Sequence, residues 1–334
     1  MRDSSLVARE LDSTPMSQTR PSVAFSLAAL LAAASAQAGE CSGWLPDFDR
    51  DCERRARPSA FVASPASPFT FEDAFVVTGV RTLHVFQQMP KGSLFADGEA
   101  EAVTGELRAA ITDRVGVSVA KAGALWIRPE NPLVPKRQAP TPLTLGVKLA
   151  LAQNHDAQRY AAISLRYADA FQGGDGSLVP SLAGALKLGS FTLQGDAGGS
   201  WAIDSSFSSS LFWHVHVAYA RIPVIAPFVQ LSGQHWIDGG DGRATLQLTP
   251  LGQQFFRAKS VSIRAVEGMF GTFEGADLVN LGAHDIAGRE LVTGAAGLRL
   301  RLARFSLSAA YERPLTRHRG VFGERITTSV SLEL

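Results

Sequence analysis

From about residue 73 onward, apolar and polar residues alternate with a period of two, and the alternation is interrupted by turn residues at regular intervals. In FTLQGDAGGSWAI (191–203), Phe191, Leu193, Ala197 and Trp201 take one face, and Thr192, Gln194, Asp196 and Ser200 take the other. LFWHVHVAYAR repeats the pattern, with Leu211, Trp213, Val215, Val217 and Tyr219 opposing His214 and His216. The C-terminal ITTSVSLEL does the same, with Ile326, Thr328, Val330, Leu332 and Leu334 opposing Thr327, Ser329, Ser331 and Glu333. Continued over the chain, the pattern predicts about twelve strands. A first candidate runs from about Glu72 to Gln87, where the alternation around VRTLHVF is too irregular to assign its faces.

The connections alternate in length. Those near 112, 155, 190, 223 and 303 are short, whereas those near 92, 135, 173, 205, 260 and 318 are mostly longer and carry Gly, Asp and Pro. Membrane barrels have short turns at one end and long loops at the other. In the clean strands, charged residues share a face with Thr, Ser, Gln and Ala, while the opposite face is nearly all aliphatic, aromatic or small. A soluble sandwich also alternates, but it usually carries more charge on its solvent face. The predicted fold is therefore all-β, a closed antiparallel transmembrane barrel of about twelve strands spanning 72–334, with the last strand pairing with the first.

The N-terminus breaks the pattern. Arg20, the apolar run Val23–Ala34 and the small residues Ala36 and Ala38 predict a secretory signal peptide over 16–38. Met16 is the expected start, which makes 1–15 an over-extended leader. The Pro-, Ser- and Arg-rich stretch 39–71 reads as a periplasmic N-terminal segment. Cys41 and Cys52, the two cysteines, could close a small loop in an oxidising compartment or stay as separate thiols. Glu40 before Cys41 argues against lipidation.

Charge adds little about partners. Lys and Arg number 32 against 31 Asp and Glu, so no basic surface advertises nucleic acid. The polar faces of the strands hold Glu106, Arg108, Lys148, Arg166, Lys187, Asp196, His214, His216, Arg299, Arg301 and Glu312 as lumen candidates. Cations outnumber anions in this set, so a wet lumen would favour anionic or polar solutes. The same groups could equally pair with one another across a plugged barrel. In the stretch 277–290, Asn280, His284 and Asp285 could fold into the barrel mouth as a constriction or form an ordinary surface loop.

His214 and His216 lack a third metal ligand at a usable spacing, and no GxSxG, HExxH or P-loop occurs. No metal, cofactor or catalytic residue is expected. An outer-wall lipid hydrolase would have to use His235 with Ser232 and the serines at 205–210.

The segments EDAFVVTGVRTLHVF, ELRAAITDRVGVSVAKAG, VNLGAHDIAG and AYERPLT together resemble a largely uncharacterised family of proteobacterial outer-membrane barrels, distantly like phenol-degradation-associated barrels. The resemblance covers roughly 70–334. It implies an outer-membrane barrel in contact with lipid, with the barrel-assembly machinery during biogenesis, and with small solutes. It carries no ligand-binding residues. The chain departs from the usual C-terminal Phe of such proteins, with Leu334 in its place. Passive or semi-selective passage of small polar or organic solutes is the expected function, and a plugged structural or adhesion barrel is the alternative.

Overall fold

The computed structural model describes Phe61 and residues 64–169, 176–222, 224–271, 274–302 and 304–334, all within one compact unit, Gly43–Leu334. The expected start, the signal peptide and the Cys41/Cys52 pair lie outside the described residues.

The strands are β1 (Gly79–Gln88), β2 (Glu99–Ala110), β3 (Val115–Arg128), β4 (Arg137–Pro140), β5 (Thr144–Asn154), β6 (Arg159–Ala168), β7 (Ser177–Leu188), β8 (Phe191–Ala202), β9 (Ser209–Tyr219), β10 (Ile225–Asp238), β11 (Thr245–Gln247), β12 (Ser260–Ser262), β13 (Glu290–Leu302), β14 (Phe305–Pro314) and β15 (Glu324–Glu333). Twelve of them form a closed antiparallel ring, in the order β1-β2-β3-β5-β6-β7-β8-β9-β10-β13-β14-β15. The ring closes where β15 meets β1, from Gly79↔Glu333 to Gln88↔Glu324. Closure pairs the backbone groups that a free sheet edge would leave open.

Side-chain direction follows the sequence alternation. Leu182, Val229, Leu298 and Leu307 stand exposed on the outer wall, whereas Gln194, His216, Ser308 and Thr327 are buried inside. In water such a wall would be an aggregation site, and among acyl chains it is the stable arrangement. Aromatic residues mark both rims of the apolar belt. Trp126, Tyr167 and Trp201 lie toward the long-loop end, and Phe191, Tyr219 and Phe305 toward the short-turn end. Phe191 and Tyr219 pack edge to face at 5.3 Å.

The first strand begins at Gly79, later than the alternation suggested. It is also two-faced in an unusual way. Leu83, Val85 and Gln87 are buried inside, and Thr82 and His84 point out. His84 is satisfied there by Glu101 at 3.0 Å, and Glu101 in turn by Arg128 at 2.8 Å.

β4 continues the line of β5 along β3, since Ala124 faces Pro140 and Ala120 faces Thr144. Pro140 and Pro142 have no N–H to donate, so the ladder breaks between the two strands. Opposite the break, Lys121 adopts a left-handed conformation with φ 63°. Gly123 lies so close to β2 that a Cβ there would overlap the Val103 carbonyl oxygen.

The long connection 239–289 folds over the loop end. It contains the β11–β12 hairpin and two short helices, α1 (Pro250–Phe256) and α2 (Ile263–Phe270). Thr249 and Ser262 cap them by accepting from the N–H groups of Gly252 and Ala265. Ile263, Val266, Leu281, Ala283 and Ile286 pack with Trp236, Leu291, Val321 and Phe322 into one apolar cluster. Gly282 (φ 67°) passes so close to Ser206 that no larger residue fits.

Candidate functional site

Barrel diameter grows with strand number. Eight strands are filled by side chains, and sixteen leave an aqueous channel. At twelve there is room for a piece of chain, and the protein supplies its own. Phe61 and residues 64–78, which lead into β1, run through the interior, with Phe61, Ala66, Phe69, Phe71, Asp73, Ala74 and Phe75 all buried. The sequence reading places a periplasmic segment over 39–71, yet the described part of that stretch lies among lumen side chains. The cause is electrostatic and apolar together. The wall's surplus cations find carboxylates on this segment, and its phenylalanines fill the remaining space.

Asp73 receives Arg108 at 2.7 Å and Lys148 at 3.0 Å. Lys148 also contacts the Glu72 carboxylate and donates to the carbonyls of Asp73 and Phe75 at 2.8 and 3.1 Å. Arg166 reaches Glu72 at 3.4 Å and the Thr70 carbonyl at 2.9 Å. Glu106 bridges Arg108 at 2.7 Å and Arg81 at 3.9 Å. Burial alone would raise the Glu72 carboxyl, but the nearby Lys148, Arg166 and Arg108 charges outweigh it and hold the group below its ordinary range.

Toward the loop end, Ser67 donates to Ser232 at 2.9 Å and to Glu312 at 3.3 Å. Glu312 also takes Thr293 at 2.6 Å and Arg325 at 2.7 Å. Arg325 is fully buried and pairs in addition with Asp277, which lies in the long connection. Asp277 accepts from the Phe69 N–H at 2.9 Å. Burial works against its ionisation, and Arg325 overcomes that and lowers its pKa. Between the two clusters, Asp196 holds His214 at 2.8 Å, Thr70 meets the other nitrogen of that ring at 3.1 Å, and Phe71 packs against both His214 and His216.

The remaining lumen candidates are also on the inner face. Arg299 donates to the Phe61 carbonyl at 3.1 Å, Arg301 is half-buried, and Lys187 is exposed beside the short β7–β8 turn. In the long connection, Asn280 accepts from the Ser208 N–H at 3.2 Å and donates to its carbonyl at 3.0 Å. His284 and Asp285 pair with each other at 2.9 Å on the exposed side and do not enter the mouth. Asp277, which opens the same stretch 277–290, does reach the lumen segment, through the Phe69 N–H. Ser232 points inward and His235 outward, because they are an odd number of residues apart on β10, so they cannot form one outer-wall site. Among the described residues no cluster of three metal ligands occurs.

No family model matches the sequence, and no curated protein matches it. Several solved structures of similar shape are found. The chain is similar to the NanC porin at 8% identity, covering 76% of this chain and 100% of that one, with TM-score 0.47. It is similar to the KdgM porin at 8% identity, covering 77% and 99%, with TM-score 0.42. It is also similar to LpxR from Salmonella typhimurium at 7% identity, covering 76% and 100%, with TM-score 0.44.

Among the described residues a cavity of about 140 Å³ is lined by Phe69 and Thr70 of the segment, by Leu125, Ile127 and Val179 of the strands, and by Asp277–Leu281 of the long connection.

Proposed function

We propose that this chain is an outer-membrane barrel for small solutes whose passage is gated by its own N-terminal segment. The long loops face outward and the short turns face the periplasm. The observation that carries this is the placement of Ser67–Phe75 in the lumen, held by ionic and polar contacts to the wall rather than by apolar packing alone. Ionic contacts can be exchanged for water when the segment moves, which an interlocked hydrocarbon core does not permit. The inner wall left behind would be polar and cationic, through Arg108, Lys148, Arg166, Arg299 and Arg301. The likeness to phenol-degradation-associated barrels would fit small organic solutes, although the family models offer no counterpart to it.

The test is to lock the segment. In a chain with Cys41 and Cys52 replaced by serine, Ser67→Cys with Ser232→Cys places two thiols where hydroxyl oxygens lie 2.9 Å apart. In planar bilayers the reduced protein should show stepwise openings, and the oxidised protein should show none. Equal conductance in both forms would remove the gate. Silence in both forms, with folding confirmed by heat-shifted gel mobility, would leave a permanently sealed structural barrel.

A further inference from the structure

We propose that the loop-end cavity is a binding site for a small organic carboxylate with a compact apolar body. This names the solute class for the passage proposed above and rests on that reading only in calling the site an entrance. One cation lines the cavity without an ion pair among the described residues. The Lys121 ammonium forms no ion pair and lies 5.2 Å from the centre of the Phe69 ring. Keeping a cation at such a cavity without a counter-charge is costly, so its placement points to an acceptor that is part of function.

The acceptor that matches a lone ammonium is an anion, since the neighbouring Arg166 guanidinium is already engaged by Glu72 and the Thr70 carbonyl. The Asp277 carboxylate, which also lines the cavity, is held by Arg325 and the Phe69 N–H. The lining also includes the apolar side chains of Leu125, Ile127, Val179 and Phe207. An apolar cavity of roughly 150 Å³ can hold a single six-membered ring, and this one measures about 140 Å³. Lys121 is also the residue that β3 holds in a left-handed conformation opposite the Pro140/Pro142 break.

The experiment uses the full chain in detergent micelles, titrated calorimetrically with cyclohexanecarboxylate and with its uncharged amide. Wild-type protein should bind the carboxylate and not measurably the amide. Lys121→Gln should weaken carboxylate binding at least about tenfold, the range for a lost charge-assisted hydrogen bond. Lys121→Arg should keep most of the affinity. Lys121→Asn suits the left-handed backbone and provides the same test if Lys121→Gln does not fold. Equal binding of acid and amide, no binding of either, or full affinity in both neutral variants would overturn the site. Binding without flux in the reduced Ser67→Cys/Ser232→Cys barrel would sink the passage reading and spare the site. Flux without saturable binding would do the reverse.

Discussion

On the proposed gate, replacing Asp73 with asparagine should raise the share of time the barrel spends open. The side chain is nearly fully buried and receives two cations, Arg108 at 2.7 Å and Lys148 at 3.0 Å, while its Oδ1 also accepts the Phe75 N–H at 3.1 Å. Asparagine keeps the last contact and the shape. It removes the charge and presents an amide N–H₂ to one of the cations. Removing one member of a buried ion pair typically costs about 3–5 kcal/mol, because the remaining charge stays desolvated. Here Lys148 retains Glu72 and Arg108 retains Glu106, so the lower end, about 3 kcal/mol, is the expectation. The cost falls on the state with the segment inside, since outside it both cations meet water. At 1.4 kcal/mol per factor of ten, the open population should rise about a hundredfold. Single-channel recording of the time spent conducting measures this, with heat-shifted gel mobility as the folding control. A folded variant whose open time stays within about twofold of wild type would refute the claim that these ion pairs hold the segment.

Acid should open the barrel by the same route. Glu72 and Asp277 have folded-state pKa values below their ordinary 4.5 and 3.8, so their stabilisation is complete above that range and is lost as pH falls through the lowered values. Open time should therefore be flat near neutrality and climb below about pH 4. A rise toward alkaline pH instead would contradict the assignment. On the outer wall, Leu298→Arg should destabilise the barrel in phospholipid vesicles by about 2–4 kcal/mol, the cost of a lipid-facing cation near the midplane. Urea unfolding checks this, and a change under half a kcal/mol would remove Leu298 from the acyl-chain region.

The strands were legible because a membrane wall sorts side chains sharply. Leu193 against Gln194 and Trp213 against His214 leave no ambiguity about facing. β1 resisted because its outer face carries Thr82 and His84, the latter made tolerable by Glu101 and Arg128 on neighbouring strands, while Leu83 and Val85 turn inward onto the lumen segment and the loop cluster. The plug was hidden for a different reason. FVASPASPFTFEDAFVV has no period, and its partners lie far along the chain, 75 residues away at Lys148 and 245 at Glu312. One trace was visible beforehand: the excess of cations among the inner-facing strand residues. A closed barrel cannot bury that excess unmatched, and Glu72, Asp73 and Asp277 supply the missing carboxylates. Lys121 left no such trace, since its left-handed backbone opposite Pro140 and Pro142 cannot be read from the alternation.

The seam between β1 and β15 also sets an order of events in assembly. The segment before β1 is made first, yet Ser67 meets Ser232 and Glu312 only after almost the whole wall exists. It is joined directly to a strand whose second neighbour is the last one made. A route that zipped β15 onto β1 with the segment still outside would make the water-filled barrel first and fill it afterwards. A route in which the lumen cations attract Glu72 and Asp73 while the sheet is still open would instead give the sheet a template on which to curl.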